Sequence, residues 1–195
     1  MLKPYYTADC IEAGLDEVGR GCLAGPVVAA AVILPSDYFH PYLTDSKQLS
    51  KAKRIILDLE IKKEALAWAI AEVDNHEIDK INILKASFLA MHKAVDALSI
   101  TPEHLLVDGN RFVNYPMIPH TCIIKGDSKF LSIAAASILA KNFRDDLMEQ
   151  LSVLHPAYGW EQNVGYPTVY HREAILQYGT TPYHRMSFKL LKTIR

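Results

Sequence analysis

Cysteine is scarce and badly spaced for a structural role. Cys10, Cys22 and Cys122 are odd in number, far apart and without Cys-x-x-Cys spacing, which excludes a disulfide framework and a zinc site and points to a reducing, cytoplasmic address. Neither sign of charge prevails: 21 Lys and Arg stand against 22 Asp and Glu in 195 residues, a formal net charge of −1. A general polyanion-binding surface is therefore excluded, and any nucleic-acid contact must come from local basic patches. No apolar run approaches the roughly 20 residues of a membrane span, and Met1–Tyr6 lacks the apolar core of a signal peptide. Glycine-rich phosphate loops are missing, which leaves nucleotide-cofactor chemistry without support. His76-Glu77-Ile78-Asp79-Lys80 lacks the second histidine of a zinc-protease helix.

What remains is a chain of one-domain length with an alternation of apolar runs. Ile11–Asp16 reads as a first strand and Val27–Leu34 as a second, apolar throughout and so buried on both faces. Ser50 can cap a helix over Lys51–Lys63 with Ile55, Ile56 and Leu59 inward. Leu66–Val73 reads as a third strand, with a helical continuation as its alternative. Helical spacing then runs from Asn75 to about Leu98. Leu105–Val107 and Thr121–Ile124 are short strands, and a long helix covers about Leu131–Leu151. Beyond His155 tyrosines appear among Gly and Pro, with helices expected from Thr168 to Gln177 and from Ser187 onward. This order predicts a mixed five-stranded sheet flanked by helices over residues 1–152, with a small helical C-terminal extension over 153–195 packed on it.

Acidic residues fall where such a fold places its ligands. Asp16-Glu17 and Asp108 sit at strand ends, and sites in open sheets lie beyond the carboxyl ends of parallel strands. A buried acidic pair is costly unless something positive lies between the carboxylates, and a divalent metal is the natural candidate. The competing reading of this stretch is a tight turn with a solvated acidic pair. Asp127 and the Arg144-Asp145-Asp146 cluster supply further carboxylates. Asp145 shares a helix face with Ile138 and Lys141, so it can point toward the sheet while Asp146 meets solvent. Metal-assisted phosphodiester cleavage needs such convergence, and magnesium suits oxygen ligands.

Several segments together carry a resemblance. Ala13-Gly14-Leu15-Asp16-Glu17-Val18-Gly19-Arg20-Gly21, Leu23–Val28, Asp45-Ser46-Lys47-Gln48-Leu49-Ser50, Val107-Asp108-Gly109-Asn110-Arg111, Lys125-Gly126-Asp127-Ser128, Ser132–Lys141 with Arg144-Asp145, Gly165-Tyr166 and Pro182–Phe188 resemble, in order, bacterial ribonuclease H type 2 (ribonuclease HII). The resemblance implies a ribonuclease H-like fold. It also implies an endoribonuclease that cuts the RNA strand of RNA–DNA hybrids, and single ribonucleotides embedded in duplex DNA, on the 5′ side of the ribonucleotide. Two-metal-ion hydrolysis with Mg²⁺ or Mn²⁺ would leave 3′-hydroxyl and 5′-phosphate. Its metal-binding and catalytic acids map onto Asp16, Glu17 and Asp108, with Asp145 fourth and Asp127 auxiliary, the order of those two being open. Gly19, Arg20 and Gly21 map onto the loop that senses the ribose 2′-hydroxyl, and Tyr166 onto the ring that stacks on the sugar. The expected form is a monomer without a membrane partner. Two departures touch the loop region: Cys22 replaces the usual proline, and Pro167 follows Tyr166 where a smaller residue is usual.

Other residues have two readings each. Lys47, Lys51, Lys53 and Arg54 could hold a phosphate backbone or form a solvated helix face. Lys125, Lys141, Arg144 and Arg185 flank the site segments and are better phosphate candidates. His184 could approach the scissile phosphate or make a structural hydrogen bond. Trp68 and Trp160 read as core. A DNA nuclease on the same fold and a non-catalytic hybrid-binding module are the alternatives, separated by dependence on the 2′-hydroxyl and by the effect of Asp108→Asn.

Overall fold

Alternation in one strand sets up the two sides of the sheet. In the computed structural model, which describes residues 2–43, 46 and 49–191, strand β2 (Val27–Ile33) is buried along its whole length. Val27, Ala29, Ala31 and Ile33 face one apolar cluster, while Val28, Ala30 and Val32 face another, as the two-residue period requires. Among the described residues five strands form one sheet in the order β3-β2-β1-β4-β5, with β1 Glu12–Val18, β3 Ala67–Val73, β4 His104–Asp108 and β5 His120–Ile123. β2 pairs antiparallel with β1 and β3, and β1–β4 and β4–β5 are parallel, so the sheet is mixed as expected.

Helices α1 (Lys51–Glu64) and α4 (Leu131–Leu154) cover one face; α2 (Asn75–Ile81) and α3 (Ile83–Asp96) cover the other. α4 lies directly on β1 because Gly14 has no side chain: a Cβ there would stand 2.2 Å from the Ser132 carbonyl carbon. α4 runs through the expected boundary at 152/153. Its last turns share a third core with Leu23, Ala24, Trp160 and the helix α6 (Val169–Tyr178), reached through the short α5 (Trp160–Asn163).

Four local expectations are corrected. Ile55, Ile56 and Leu59 are 45%, 57% and 65% exposed, and Leu57 and Ile61 turn inward with Arg54 and Asp58. The helix is rotated by a polar contact that apolar periodicity does not show: Arg54 Nε donates to Asn142 Oδ1 at 3.3 Å, and Asn142 Nδ2 to the Arg54 carbonyl at 2.9 Å. The helix from Asn75 is broken at Asn82, whose φ is +69°; its side-chain oxygen accepts from the Leu84 and Lys85 amides and starts α3 anew. Trp68 is 39% exposed on edge strand β3, on the α1 side of the sheet beneath the Lys62 ammonium, whereas Trp160 is fully buried as expected. No helix forms over residues 187–191, and the rest of that expected helix, with Asp45, Lys47 and Gln48 of the second motif, lies outside the described residues.

Candidate active site

Register brings the first acids together. Leu15 of β1 pairs with Val107 of β4, so Asp16 and Asp108 are the next residues of two adjacent parallel strands. Asp16 is buried and Asp108 half-buried, and Glu17 follows on the same strand. Burial, then the charges of Glu17 and Asp108, push the Asp16 carboxyl well above its usual range. Hydrogen bonds from the Ser137 hydroxyl and the Glu17 amide, the latter 2.7 Å, oppose that shift and fix the carboxylate's direction. Burial also raises Glu17, against the pull of Arg20, whose Nη1 reaches Glu17 Oε1 at 3.1 Å. Ser137 in turn shares a hydrogen bond of 2.9 Å with the buried Ser46.

The remaining two acids part company. The Gly126 amide donates to Asp108 Oδ1 at 2.7 Å, which sets the buried Asp127 one residue from a direct contact with Asp108. Asp145 does turn inward, but its carboxylate meets other partners: Oδ2 accepts from Arg54 Nη2 at 3.0 Å and Oδ1 from Lys141 Nζ. The helix face was legible; the Arg54 that α1 swings onto it was not. Among the described residues no three His, Cys, Asp or Glu side chains already stand in a metal-holding group. The donor set still suits a hard divalent cation, because Asp16, Glu17 and Asp108 offer only oxygens, and the neighbouring negative charges make Asp16 and Glu17 harder to ionise in a buried place without a cation. A cleft of about 300 Å³ opens on Glu17 and Asp108, lined also by Arg20, Asn110, Arg111 and Phe88 among others.

The glycine loop is held from beneath. Gly19 has φ +94°, and a Cβ on it would lie 2.2 Å from Arg144 Nε. Arg144 is fully buried and donates to three carbonyls: Pro26 at 3.0 Å, Ala24 at 3.0 Å and Val164 at 2.8 Å. Arg185, equally buried, donates to Gly25 O at 2.9 Å and Arg20 O at 3.1 Å; burial lowers its pKa to about 10. The expectation that these two arginines meet phosphate is therefore corrected: they are clamps on the loop, and their sequence positions beside site motifs did not show which way they point. Lys141 and Arg54 are engaged by Asp145, and Lys51 by Glu149 at 2.7 Å, while Lys125 is exposed beside Gly126. His184 is buried against His171 and Thr181, the structural alternative. Tyr166 is 39% exposed, with its Cε1 3.8 Å from where a Gly21 Cβ would lie, so loop and ring adjoin.

A mixed five-stranded sheet with acids at the ends of its central parallel strands defines the class: a ribonuclease H enzyme. Comparison with known proteins narrows it. The family model for ribonuclease HII matches residues 13–191. Ribonuclease HII of Bacteroides thetaiotaomicron is 64% identical over 191 residues, 98% of this chain and 96% of that protein. The Porphyromonas gingivalis protein of that name is 55% identical over 97% of this chain and 94% of its own. Among solved structures, ribonuclease H2 of Pyrococcus horikoshii superposes with a TM-score of 0.77 at 26% identity, covering 92% and 94% of the two chains. The chain belongs to the ribonuclease HII family, and its activity is that of a ribonuclease on RNA–DNA hybrids.

Proposed function

We propose that this ribonuclease cuts both the RNA strand of hybrids and single ribonucleotides embedded in duplex DNA, on their 5′ side, leaving 3′-hydroxyl and 5′-phosphate. The observation that carries the reading is the junction of Asp16, Glu17 and Asp108 with the Gly19–Gly21 loop and the Tyr166 ring. Acids that cut phosphodiesters and a backbone able to approach a sugar closely stand side by side.

Asp16, Glu17 and Asp108 would hold Mg²⁺ or Mn²⁺, two ions during catalysis. Asp127 is the fourth acid we favour over Asp145, because Gly126 is bonded to Asp108 while both Asp145 oxygens face cations. The chemistry such ions supply is polarisation of the phosphate and activation of an attacking water. The chain's own part is positioning. Ser137 and the Glu17 amide aim Asp16; Arg20 steadies Glu17; the Gly126 amide aims Asp108. Backbone groups of Gly19, Arg20 and Gly21 read the 2′-hydroxyl, the group that separates RNA from DNA, and Tyr166 stacks on the neighbouring sugar. We place the enzyme in the cytoplasm as a monomer, in keeping with three free cysteines. No helix of the described residues is long and apolar enough to cross a membrane.

The test is a pair of duplexes identical except for one ribonucleotide, incubated with the protein and Mg²⁺. Cleavage of the ribonucleotide-bearing strand alone, at its 5′ side, is the expected result. Equal cutting of the all-DNA twin sinks the reading in favour of a general DNA nuclease on this fold.

A further inference from the structure

The loop that carries Gly19–Gly21 meets the segment that carries Tyr166 around the Cys22 side chain. The Cys22 amide donates to Gly19 O at 3.3 Å and closes the turn, while the next amide, Leu23, donates to Gly165 O at 2.7 Å. These bonds lay the two segments side by side. The Cys22 side chain is fully buried between them, and its Sγ lies 3.6 Å from the Val164 carbonyl, to which the thiol donates. That carbonyl also accepts from Arg144 at 2.8 Å, so the sulfur rests on a fixed point. On its other side Tyr166 lies against the same turn, its Cε1 3.8 Å from where a Gly21 Cβ would stand, and its hydroxyl and the Cys22 thiol act on each other's proton affinity. Burial raises the thiol's pKa and outweighs the pull of Arg144, Arg185 and Lys141, so Cys22 stays a neutral donor and acceptor rather than a nucleophile.

We propose that Cys22 is a positioning residue for Tyr166: its thiol anchors the phenol end of the ring, keeps the aromatic face beside Gly21, and thereby sets the preference for an isolated ribonucleotide over a continuous hybrid. The proposal rests on the reading of Tyr166 as the ring that stacks on the sugar. A tyrosine ring turns about two side-chain torsions, and this one is exposed on one side; a hydrogen bond at its far end removes most of that freedom. An isolated ribonucleotide offers one sugar to recognise, so ring orientation counts in every productive encounter. A long hybrid offers many registers and further backbone contacts, so it tolerates a looser ring.

The experiment compares wild type with Cys22→Ala, Cys22→Ser, Tyr166→Phe and the double variant Cys22→Ala/Tyr166→Phe. Each is assayed on a duplex bearing one ribonucleotide and on a long RNA–DNA hybrid. Loss of one hydrogen bond predicts that Cys22→Ala lowers kcat/KM on the single ribonucleotide about fivefold. The hybrid changes by less than about twofold, and Cys22→Ser, which keeps a donor and an acceptor, recovers wild-type discrimination. In the Tyr166→Phe background, where the hydroxyl is gone, Cys22→Ala adds nothing. The ¹³C resonance of labelled Tyr166 at its hydroxyl-bearing carbon moves in Cys22→Ala and returns in Cys22→Ser, whatever the activity. Equal loss on both substrates overturns the proposal, as do effects of the two substitutions that multiply or a Tyr166 resonance indifferent to Cys22. Wild type that cuts all-DNA duplex equally well overturns the function reading instead. A thermal melt of each variant separates a general loss of fold from a loss of discrimination.

Discussion

Replacing Arg144 with lysine tests whether the buried arginines are clamps or phosphate ligands. One guanidinium in its fork geometry serves three carbonyls, on Ala24, Pro26 and Val164, at 2.8–3.0 Å. A lysine ammonium is a point donor on a flexible stem and can reach one of them well. Two charge-assisted bonds are lost, each about 1.5–3 kcal/mol, and two buried carbonyls lose their donor. The expected destabilisation is about 3–5 kcal/mol. In a domain of this size 1 kcal/mol moves Tm by about 2–4 °C, so Arg144→Lys should melt about 10 °C below wild type. Circular dichroism melts give that number. Because lysine keeps the charge, a phosphate contact would leave both Tm and the salt dependence nearly as they were; a clamp lowers Tm. A Tm within about 2 °C of wild type refutes the clamp.

Asp108→Asn should lower cleavage at least about a hundredfold while hybrid binding persists. Because it removes a like charge from beside Asp16 and Glu17, Tm should hold or rise; normal cleavage would overturn the metal assignment. Burial, then the neighbouring His171, pushes His184 down to about 4 from the ordinary 6.5. Below 6.5 the unfolded chain takes the proton first. The stabilisation is therefore complete above pH 6.5 and lost as pH falls to about 4, on the order of 3 kcal/mol in all and about 2 kcal/mol by pH 5. Urea unfolding of His184→Asn should lack that share of the acid sensitivity, and identical pH profiles would refute it. Gly14→Ala forces a Cβ to within 2.2 Å of α4 backbone, so unfolding curves should show a loss of about 3 kcal/mol or more; under 1 kcal/mol would mean that α4 can shift.

The sequence by itself determined the elements with strong local signals. Ser50 and Thr168 cap helices at the expected residues, because a side-chain oxygen at an N-cap answers amides only two or three positions away. β2 was legible because burial on both faces needs an unbroken apolar run. Asp16, Glu17 and Asp108 were legible as a group, since short apolar strands ending in acids predict carboxylates at one edge of a parallel pair. Asn82 was within reach as well, an Asx residue able to take a positive φ and start a helix, but the apolar spacing on either side masked it.

Tertiary structure alone decided where the long polar side chains go. Arg54, Arg144 and Arg185 look like surface cations in sequence, yet each is buried with at least one partner 88 to 165 residues away. No local period encodes such contacts, because a guanidinium satisfies carbonyls and carboxylates wherever folding leaves them without donors. The same holds for Asp145, whose helix face was readable and whose Arg54 partner was not. Cys22 shows the division most clearly. The sequence marked it as a departure in the loop, and only the packing of residues 164–166 against that loop placed its sulfur between Val164 and Tyr166. The acids at strand ends are written in the chain, and the supports that aim them arise where distant segments meet.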